Sequence, residues 1–246
     1  MKYKILILGG SGNLGSALKK KVFFKNQFFP TRKEINILNF KKLKKFIFDN
    51  KINLIINCAA IARMRECEKS KKKSFNVNVL GAKNLVKIVK QYKNLNIKLI
   101  QISSDAVYPS TKGNYSELSK LKPYNYYGKT KLLSEKYVKS LDRFIIIRTR
   151  FFNKKKIKYF TAAIDSFTSS IEVNKLANYI ILLIKKNFKG IINVGGKKVS
   201  DFKLYKNYKK IKICNQADIQ KKLKFKISKD ASMNISKLNK LFNHDL

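Results

Sequence analysis

Short uninterrupted apolar runs recur along the chain, each followed by a turn signal and then by apolar residues at helical spacing. Ile5 to Leu8, Leu54 to Cys58, Leu99 to Ile102, Phe144 to Ile147 and Ile191 to Val194 lack the polar alternation of half-exposed strands. They predict parallel strands buried on both faces. Between them, Phe40, Leu43, Phe46 and Ile47 mark one face of a helix, and Val79, Leu80, Leu85, Val86 and Val89 mark another. Ala17, Leu18 and Val22 lie along a lysine-rich helix that follows the first strand. Strands alternating with helices imply an α/β fold, a Rossmann-type doubly wound parallel sheet. Only Pro30, Pro109 and Pro123 interrupt the chain, and no Ser/Gly-rich linker or internal repeat divides it. A softer boundary falls after Arg150, where Lys154-Lys155-Lys156 breaks the regular pattern. The expectation is a domain over residues 1–150 and a small, abridged portion over 151–246 that packs on it and is not independent.

The first turn carries the first chemical signal. Gly9-Gly10-Ser11-Gly12-Asn13-Leu14-Gly15 follows the first strand directly and opens a helix. Glycines at 9, 12 and 15 allow a tight turn, close backbone approach to a pyrophosphate and intimate helix-on-strand packing. Strand, glycine triplet and helix together predict a dinucleotide site; the plainer alternative is a glycine turn without a ligand. Where the second strand should end, the stretch Phe29-Pro30-Thr31-Arg32-Lys33 has no acid before Glu34. An NAD enzyme usually places Asp or Glu there for the ribose hydroxyls. Arg32 fits a 2′-phosphate instead, so NADP(H) is preferred and NAD(H) possible, against the alternative that Arg32 is simply solvated.

Composition changes the picture in two ways. Apolar residues make up 44% of 246 residues, enough for a folded core rather than a disordered chain. The charge is extreme: 56 Lys+Arg against 14 Asp+Glu, formally +42, with only six arginines among the cations. Such a balance invites a nucleic-acid or membrane reading. Yet lysines in helix faces such as Lys41-Lys42 and in loops such as Lys71-Lys72-Lys73 read most simply as solvated. No specific nucleic acid and no membrane contact is expected. No apolar run approaches the ~20 residues of a membrane span, and the N-terminal apolar stretch is too short for a signal sequence. Cys58, Cys67 and Cys214 form no CxxC pair and the single histidine is His244, so neither a metal site nor a disulfide framework is expected. These absences predict a cytoplasmic protein.

The lysine excess also sets the standard for the next motif. Tyr127 and Lys131 lie four apart on one helical face, an arrangement in which a cation favours phenolate and lowers a tyrosine's pKa. By chance alone, about 2.4 such pairs are expected in this composition, and four exist: Tyr108/Lys112, Tyr127/Lys131, Tyr205/Lys209 and Tyr208/Lys212. Position selects Tyr127. Some twenty residues upstream the fourth strand ends in Ser103-Ser104-Asp105, and ligand sites lie beyond the carboxyl ends of parallel strands. There Ser104 can hydrogen-bond a carbonyl that the tyrosine protonates. The alternative for Ser104 and Asp105 is a strand-ending turn, and for Tyr108, Tyr205 and Tyr208 the plain structural reading prevails.

With these residues placed, the chain resembles the extended short-chain dehydrogenase/reductase superfamily, and within it the dTDP-4-dehydrorhamnose reductases and their sugar-nucleotide-binding relatives. The likeness runs through Gly9 to Gly15, Ile56-Asn57-Cys58-Ala59-Ala60, Cys67-Glu68, Asn76-Val77-Asn78-Val79, Ser103 to Tyr108, Tyr127 to Lys131 with Glu135, Arg148-Thr149, Asn193-Val194-Gly195-Gly196 and Asn234 to Leu238. The resemblance implies catalytic roles for Ser104, Tyr127 and Lys131, with Lys131 also on the nicotinamide ribose. It places Gly12, Asn13 and Leu14 at the pyrophosphate, Ala59, Ala60 and Ile61 along the cofactor, Asn36 and Ile37 near the adenine, and Ser104 and Asp105 at the substrate. Three departures bear on the substrate side. Ala106 stands where the family commonly has an aromatic, Phe151 where it has Trp, and Asn153 to Thr161 spans a segment that is longer in relatives. The implied activity is reduction of a nucleotide-linked 4-keto sugar by NAD(P)H, in a possible homodimer. The alternatives are a nucleotide-sugar epimerase or dehydratase, or a non-catalytic sugar-nucleotide-binding regulatory subunit. Ala106 after Asp105 argues against the dehydratase, which usually has an Asp-Glu pair there.

Overall fold

The computed structural model describes residues 3–21 and 25–242; Val22 and His244 lie outside the described residues. Six strands form one parallel sheet: β1 (Lys4–Leu8), β2 (Asn26–Phe28), β3 (Leu54–Asn57), β4 (Lys98–Ile102), β5 (Phe144–Thr149) and β6 (Gly190–Val194). Their order across the sheet is β6-β5-β4-β3-β1-β2. Ile5 pairs with Leu54, Leu54 with Lys98, Leu99 with Phe144 and Ile145 with Gly190, so the strand ends stay level. The sixth strand comes from beyond Arg150, so the sheet itself crosses the softer boundary in the sequence.

The apolar runs explain why the strands are interior. Within β1, Ile5 and Ile7 face one side and Leu6 and Leu8 the other, because successive side chains alternate across a pleated strand. One side is covered by α1 (Asn13–Lys19), α5 (Val173–Lys185) and α6 (Ser236–Phe242), through Leu14, Ala17, Leu176, Ile180, Leu183 and Leu238. The other is covered by α2 (Phe40–Asp49), α3 (Gly81–Gln91) and α4 (Tyr126–Val138), through Leu43, Ile47, Leu85, Ile88 and Val138. The ends of these helices are set locally. The side chains of Asn39 and Asn125 accept hydrogen bonds from the backbone N–H of Lys42 and Gly128, and Glu172 accepts from Asn174 and Lys175.

The strand order reverses between β1 and β3, the position where ligands bind in open α/β sheets, outside the carboxyl strand ends. Here Gly9 adopts a left-handed φ of +78°, and a side chain at Gly15 would collide with the backbone of Gly9 and Gly10. The loop therefore folds tightly onto α1 only because both positions lack a Cβ. Before α3, Asn76–Leu80 forms one π-helical turn that carries Asn78 toward the loop after β3. Outside α5, β6 and α6, the described residues after Arg150 include small two-stranded pairings, among them Thr161–Ala163 with Lys212–Cys214. Between β5 and Thr161 stand only the two-residue strand Phe151–Phe152 and one 3₁₀ turn, Lys154–Lys156.

Ile147 is fully buried at the centre of the sheet, so Ile147→Ala should lower unfolding stability by about 2–5 kcal/mol, measured by urea denaturation with an unchanged m-value.

Candidate active site

A single cavity of about 780 Å³ runs from the glycine loop across the ends of β3, β4 and β5 to the C-terminal segments. Gly9, Gly12, Asn13, Leu14 and Gly15 line one end; Cys58, Ala60, Ser104, Asp105, Tyr127 and Lys131 line the middle. Thr149, Arg150, Tyr159, Ser166, Asp201, Tyr205 and Phe225 are among the residues of the far end.

The middle is assembled by close packing of α4 on the turn that ends β4. A side chain at Gly128 would strike the carbonyl of Ala106, so the helix lies directly against Ser104-Asp105-Ala106. Asn125 caps the helix, and the Tyr126 N–H donates to Glu68 Oε1 at 2.8 Å. Thr130, one residue before Lys131, accepts from Asn78 Nδ2 at 3.0 Å. The same Asn78 side chain takes both backbone groups of Ile61, accepting from its N–H at 2.8 Å and donating to its carbonyl at 3.0 Å. The loop after β3 is thereby fixed to the helix that carries Tyr127 and Lys131.

Below these residues lies a fully buried ion pair. Arg148, at the end of β5, donates to both oxygens of Glu135 on α4, at 3.1 and 2.8 Å, and Ser103 Oγ donates to Glu135 Oε1 at 2.5 Å. Tyr108, which belongs to one of the competing Tyr–Lys pairs, accepts from Arg148 Nη1 at 3.0 Å and donates to Asn193 Oδ1 at 2.8 Å. Its ring also stacks on Tyr115, and it does not line the cavity.

Ser104 Oγ donates to Asp105 Oδ1 at 2.9 Å and accepts from the Ala106 N–H at 3.1 Å, and it is among the groups that act on the Tyr127 phenol. The electrostatics differ from the expectation of a depressed tyrosine. Burial pushes the Tyr127 phenol well above its ordinary pKa, against the pull of Ser104, and Lys131 is not among the groups that act on it most. Desolvation outweighs attraction here because the cavity wall withholds water from the phenolate. The same burial lowers Lys131 to about 8, partly offset by Glu135, Cys58 and Cys67. Both cysteines are raised by burial, Cys58 to about 12 and Cys67 to about 11. All three cysteines are free.

Five residues expected at the cofactor do not line the cavity. Arg32 stands on an exposed turn in which the Thr31 N–H donates to Glu34. Asn36 spends its side-chain oxygen on the Leu38 N–H. Ile37 is buried against Gly81, and Ala59 packs into the α2–α3 side of the core. Ile61 is held through its backbone by Asn78. Conversely, Arg150, Asp201 and Tyr205 reach the cavity without having been singled out as site residues. Arg150 was legible by the strand-end rule, directly after Arg148-Thr149. Tyr205 reaches the cavity although its lysine partner, Lys209, turns away onto the Phe160 ring.

A glycine loop at the switch point of a parallel sheet, with Ser, Tyr and Lys at the ends of β4 and α4, defines a Rossmann-type α/β protein of the short-chain dehydrogenase/reductase kind. Residues 2–178 match the model of the RmlD substrate binding domain, and the chain belongs to that family. Among curated relatives it is 34% identical over 145 residues to methionine adenosyltransferase 2 subunit beta of Xenopus tropicalis, covering 55% of this chain and 42% of that protein. It is 29% identical over 151 residues to the dTDP-4-dehydrorhamnose reductase of Aggregatibacter actinomycetemcomitans, covering 59% of this chain and 50% of that one. The matched segment thus spans half or less of those relatives. Among solved structures, the dTDP-4-dehydrorhamnose reductase of Bacillus anthracis in complex with NADP superposes with a TM-score of 0.87 at 22% identity, covering 100% of this chain and 94% of that one. A hypothetical dTDP-4-dehydrorhamnose reductase from Sulfolobus tokodaii gives 0.83 at 27% identity, covering 98% and 96%.

Removing one partner of the buried ion pair leaves an uncompensated charge. Glu135→Leu should therefore cost about 3–5 kcal/mol in urea unfolding, with the double variant Glu135→Leu/Arg148→Met recovering part of the loss.

Proposed function

We propose that this protein is an NADPH-dependent reductase of a nucleotide-linked 4-keto sugar. The observation that carries the reading is the presence of Ser104, Tyr127 and Lys131 on one wall of the cavity that begins at the glycine loop. The similarity to sugar reductases, one of them solved with NADP, supports it.

The residues fit a dinucleotide. A Cβ at Gly12 would meet only the Gly9 carbonyl, at 3.3 Å, so the space above this glycine is open for close backbone approach. No side chain caps α1, which leaves its first N–H groups to an anion. Gly12, Asn13 and Leu14 would hold the pyrophosphate, and Cys58 and Ala60 would line the middle of the cofactor. Lys131 would take the ribose hydroxyls beside the nicotinamide. Arg32, exposed on its turn, is free to swing toward a 2′-phosphate. The bound, reduced nicotinamide supplies the hydride that reaches the keto carbon.

The chain's own residues supply the rest. Ser104 Oγ turns its hydrogen bond from Asp105 to the keto oxygen. Tyr127 gives its proton to that oxygen as negative charge develops on it, and the product is an alcohol. A phenol raised by burial holds its proton until the alkoxide forms, and the Lys131 ammonium then stabilises the phenolate left behind. That charge is present below the Lys131 pKa of about 8 and lost above it.

A second reading is a binding subunit of a larger enzyme, favoured by the similarity to methionine adenosyltransferase 2 subunit beta. Turnover separates the two. NADPH consumption followed by absorbance, over a panel of nucleotide-linked 4-keto sugars, should be abolished by Tyr127→Phe while NADPH binding by fluorescence survives. Undiminished turnover in that variant would sink the reductase mechanism, and no turnover in the unaltered protein would favour the subunit. The kcat/KM of the active protein should also fall as pH rises through about 8, a fall that disappears in the residual activity of Lys131→Met.

A further inference from the structure

Beyond Ser104, Tyr127 and Lys131 the cavity continues over polar groups that the chemistry above does not use. Thr149 is 3% exposed and Asp105 2%, yet Thr149 Oγ1 and Asp105 Oδ2 have no hydrogen-bond partner. Arg150 Nη1 is buried without one as well. These are three of the six unpartnered buried side-chain polar atoms among the described residues, gathered on consecutive strand ends of one cavity. Arg150 Nε stands 3.4 Å from Asp105 Oδ2, so guanidinium and carboxylate face each other without closing a hydrogen bond. Tyr124, whose buried hydroxyl also has no hydrogen-bond partner, acts on Arg150 electrostatically together with Asp201 and Tyr205, the last two of which line the cavity.

Buried donors and acceptors are rarely left unmade, so this set has the shape of a missing partner. The partner must accept from Nη1 and donate to Oδ2. A hydroxyl group does both. A carboxylate could accept from Arg150 but would face Asp105 and Asp201 with one guanidinium among three acids. A methyl or methylene group would leave all three atoms unsatisfied. Asp105 follows Ser104 directly, so the hydroxyl sits beside the carbonyl that Ser104 and Tyr127 address.

We propose that Arg150 is the specificity-determining residue of this cavity, selecting with Asp105 a sugar that carries a hydroxyl group near its reacting carbonyl over both the deoxygenated and the carboxylated sugar. This rests on the reading of the cavity as a nucleotide-sugar site. Phe151, Tyr159, Tyr205 and Phe225 give the same end of the cavity an aromatic lining, so Arg150 and Asp105 are its polar readers beside apolar ring faces.

The test is calorimetric binding, in the presence of NADP⁺, of UDP- and dTDP-linked glucose, of the 3-deoxy and 6-deoxy analogues, and of glucuronate. The unaltered protein should bind glucose about tenfold or more tighter than glucuronate and than at least one deoxy analogue. Arg150→Leu should bring these affinities together, and Arg150→Gln, which keeps an N–H donor, should retain part of the preference. Turnover of 4-keto sugars should show the change in KM rather than kcat. Equal losses for every sugar in both variants would mean a structural role and overturn the proposal, as would tightest binding of glucuronate. Binding without discrimination, with turnover intact, defeats this inference alone. Absence of both sugar binding and turnover defeats the reductase reading with it.

Discussion

The carboxylate of Glu135 is the constraint on which the site depends. It is fully buried, and an ion in that position is tolerable only when its lone pairs are met. Its partners come from two elements, Ser103 at the end of β4 and Arg148 at the end of β5, while Glu135 itself stands on α4. Each contact stands next to a residue of the cavity. Ser103 precedes Ser104, Arg148 precedes Thr149 and Arg150, and Glu135 lies one turn beyond Lys131. Satisfying the buried charge therefore fixes the relative positions of the serine, the tyrosine–lysine helix and the second arginine at once. Through Tyr108 and Asn193 the same network reaches β6, and Asn193 Nδ2 donates to the carbonyls of Tyr115 and Asn234. The C-terminal segment at Asn234 is thus tied to the same carboxylate.

Water exclusion then sets the electrostatics. In a chain of +42 one might expect every acid to be depressed and every tyrosine drawn toward ionisation by nearby lysines. The buried site behaves otherwise. Asp105 and Asp201 are raised by desolvation despite Arg150, Tyr127 is raised despite Ser104, and Lys131 is lowered despite Glu135. Among the described residues only Lys98 and Lys131 of the many lysines are buried. The rest are solvated, and none of them is among the residues that line the cavity. Net charge is a property of the surface here and acts, at most, on the approach of anionic ligands.

The interior of the fold was legible because its signal is local. Five apolar runs mark five of the six sheet strands within a residue or two, and the apolar stripes of α2 and α3 face the core. Of the four Tyr–Lys pairs, only Tyr127/Lys131 brings both its members to the cavity, because strand ends converge on one edge of a parallel sheet; Tyr205 lines it without its lysine. The weaker inferences involved residues whose neighbours are distant in sequence. Arg32 was placed by its position near the end of the second strand, and Asn36 and Ile37 by resemblance, and none of the three lines the cavity. Asp201, Tyr205 and Phe225 belong to short elements without apolar periodicity, and only tertiary packing brings them opposite Arg150. The sense of the Tyr127 shift could not be read from Lys131 four residues on, since it is decided by enclosure.

The contrast between the two halves of the cavity follows the same geometry. Ser104, Tyr127 and Lys131 lie beside residues that the Glu135 network pins. The far wall is built from the short segment after β5 and from small paired strands, where a residue can change without disturbing the sheet. Arg150 lies at the junction: its backbone belongs to the rigid end of β5, while its side chain points into the variable half and keeps an unpartnered nitrogen there. A cation so anchored has its position fixed by the core and its purpose set by the ligand. A freely solvated arginine would have neither property, and water would already have satisfied its donors.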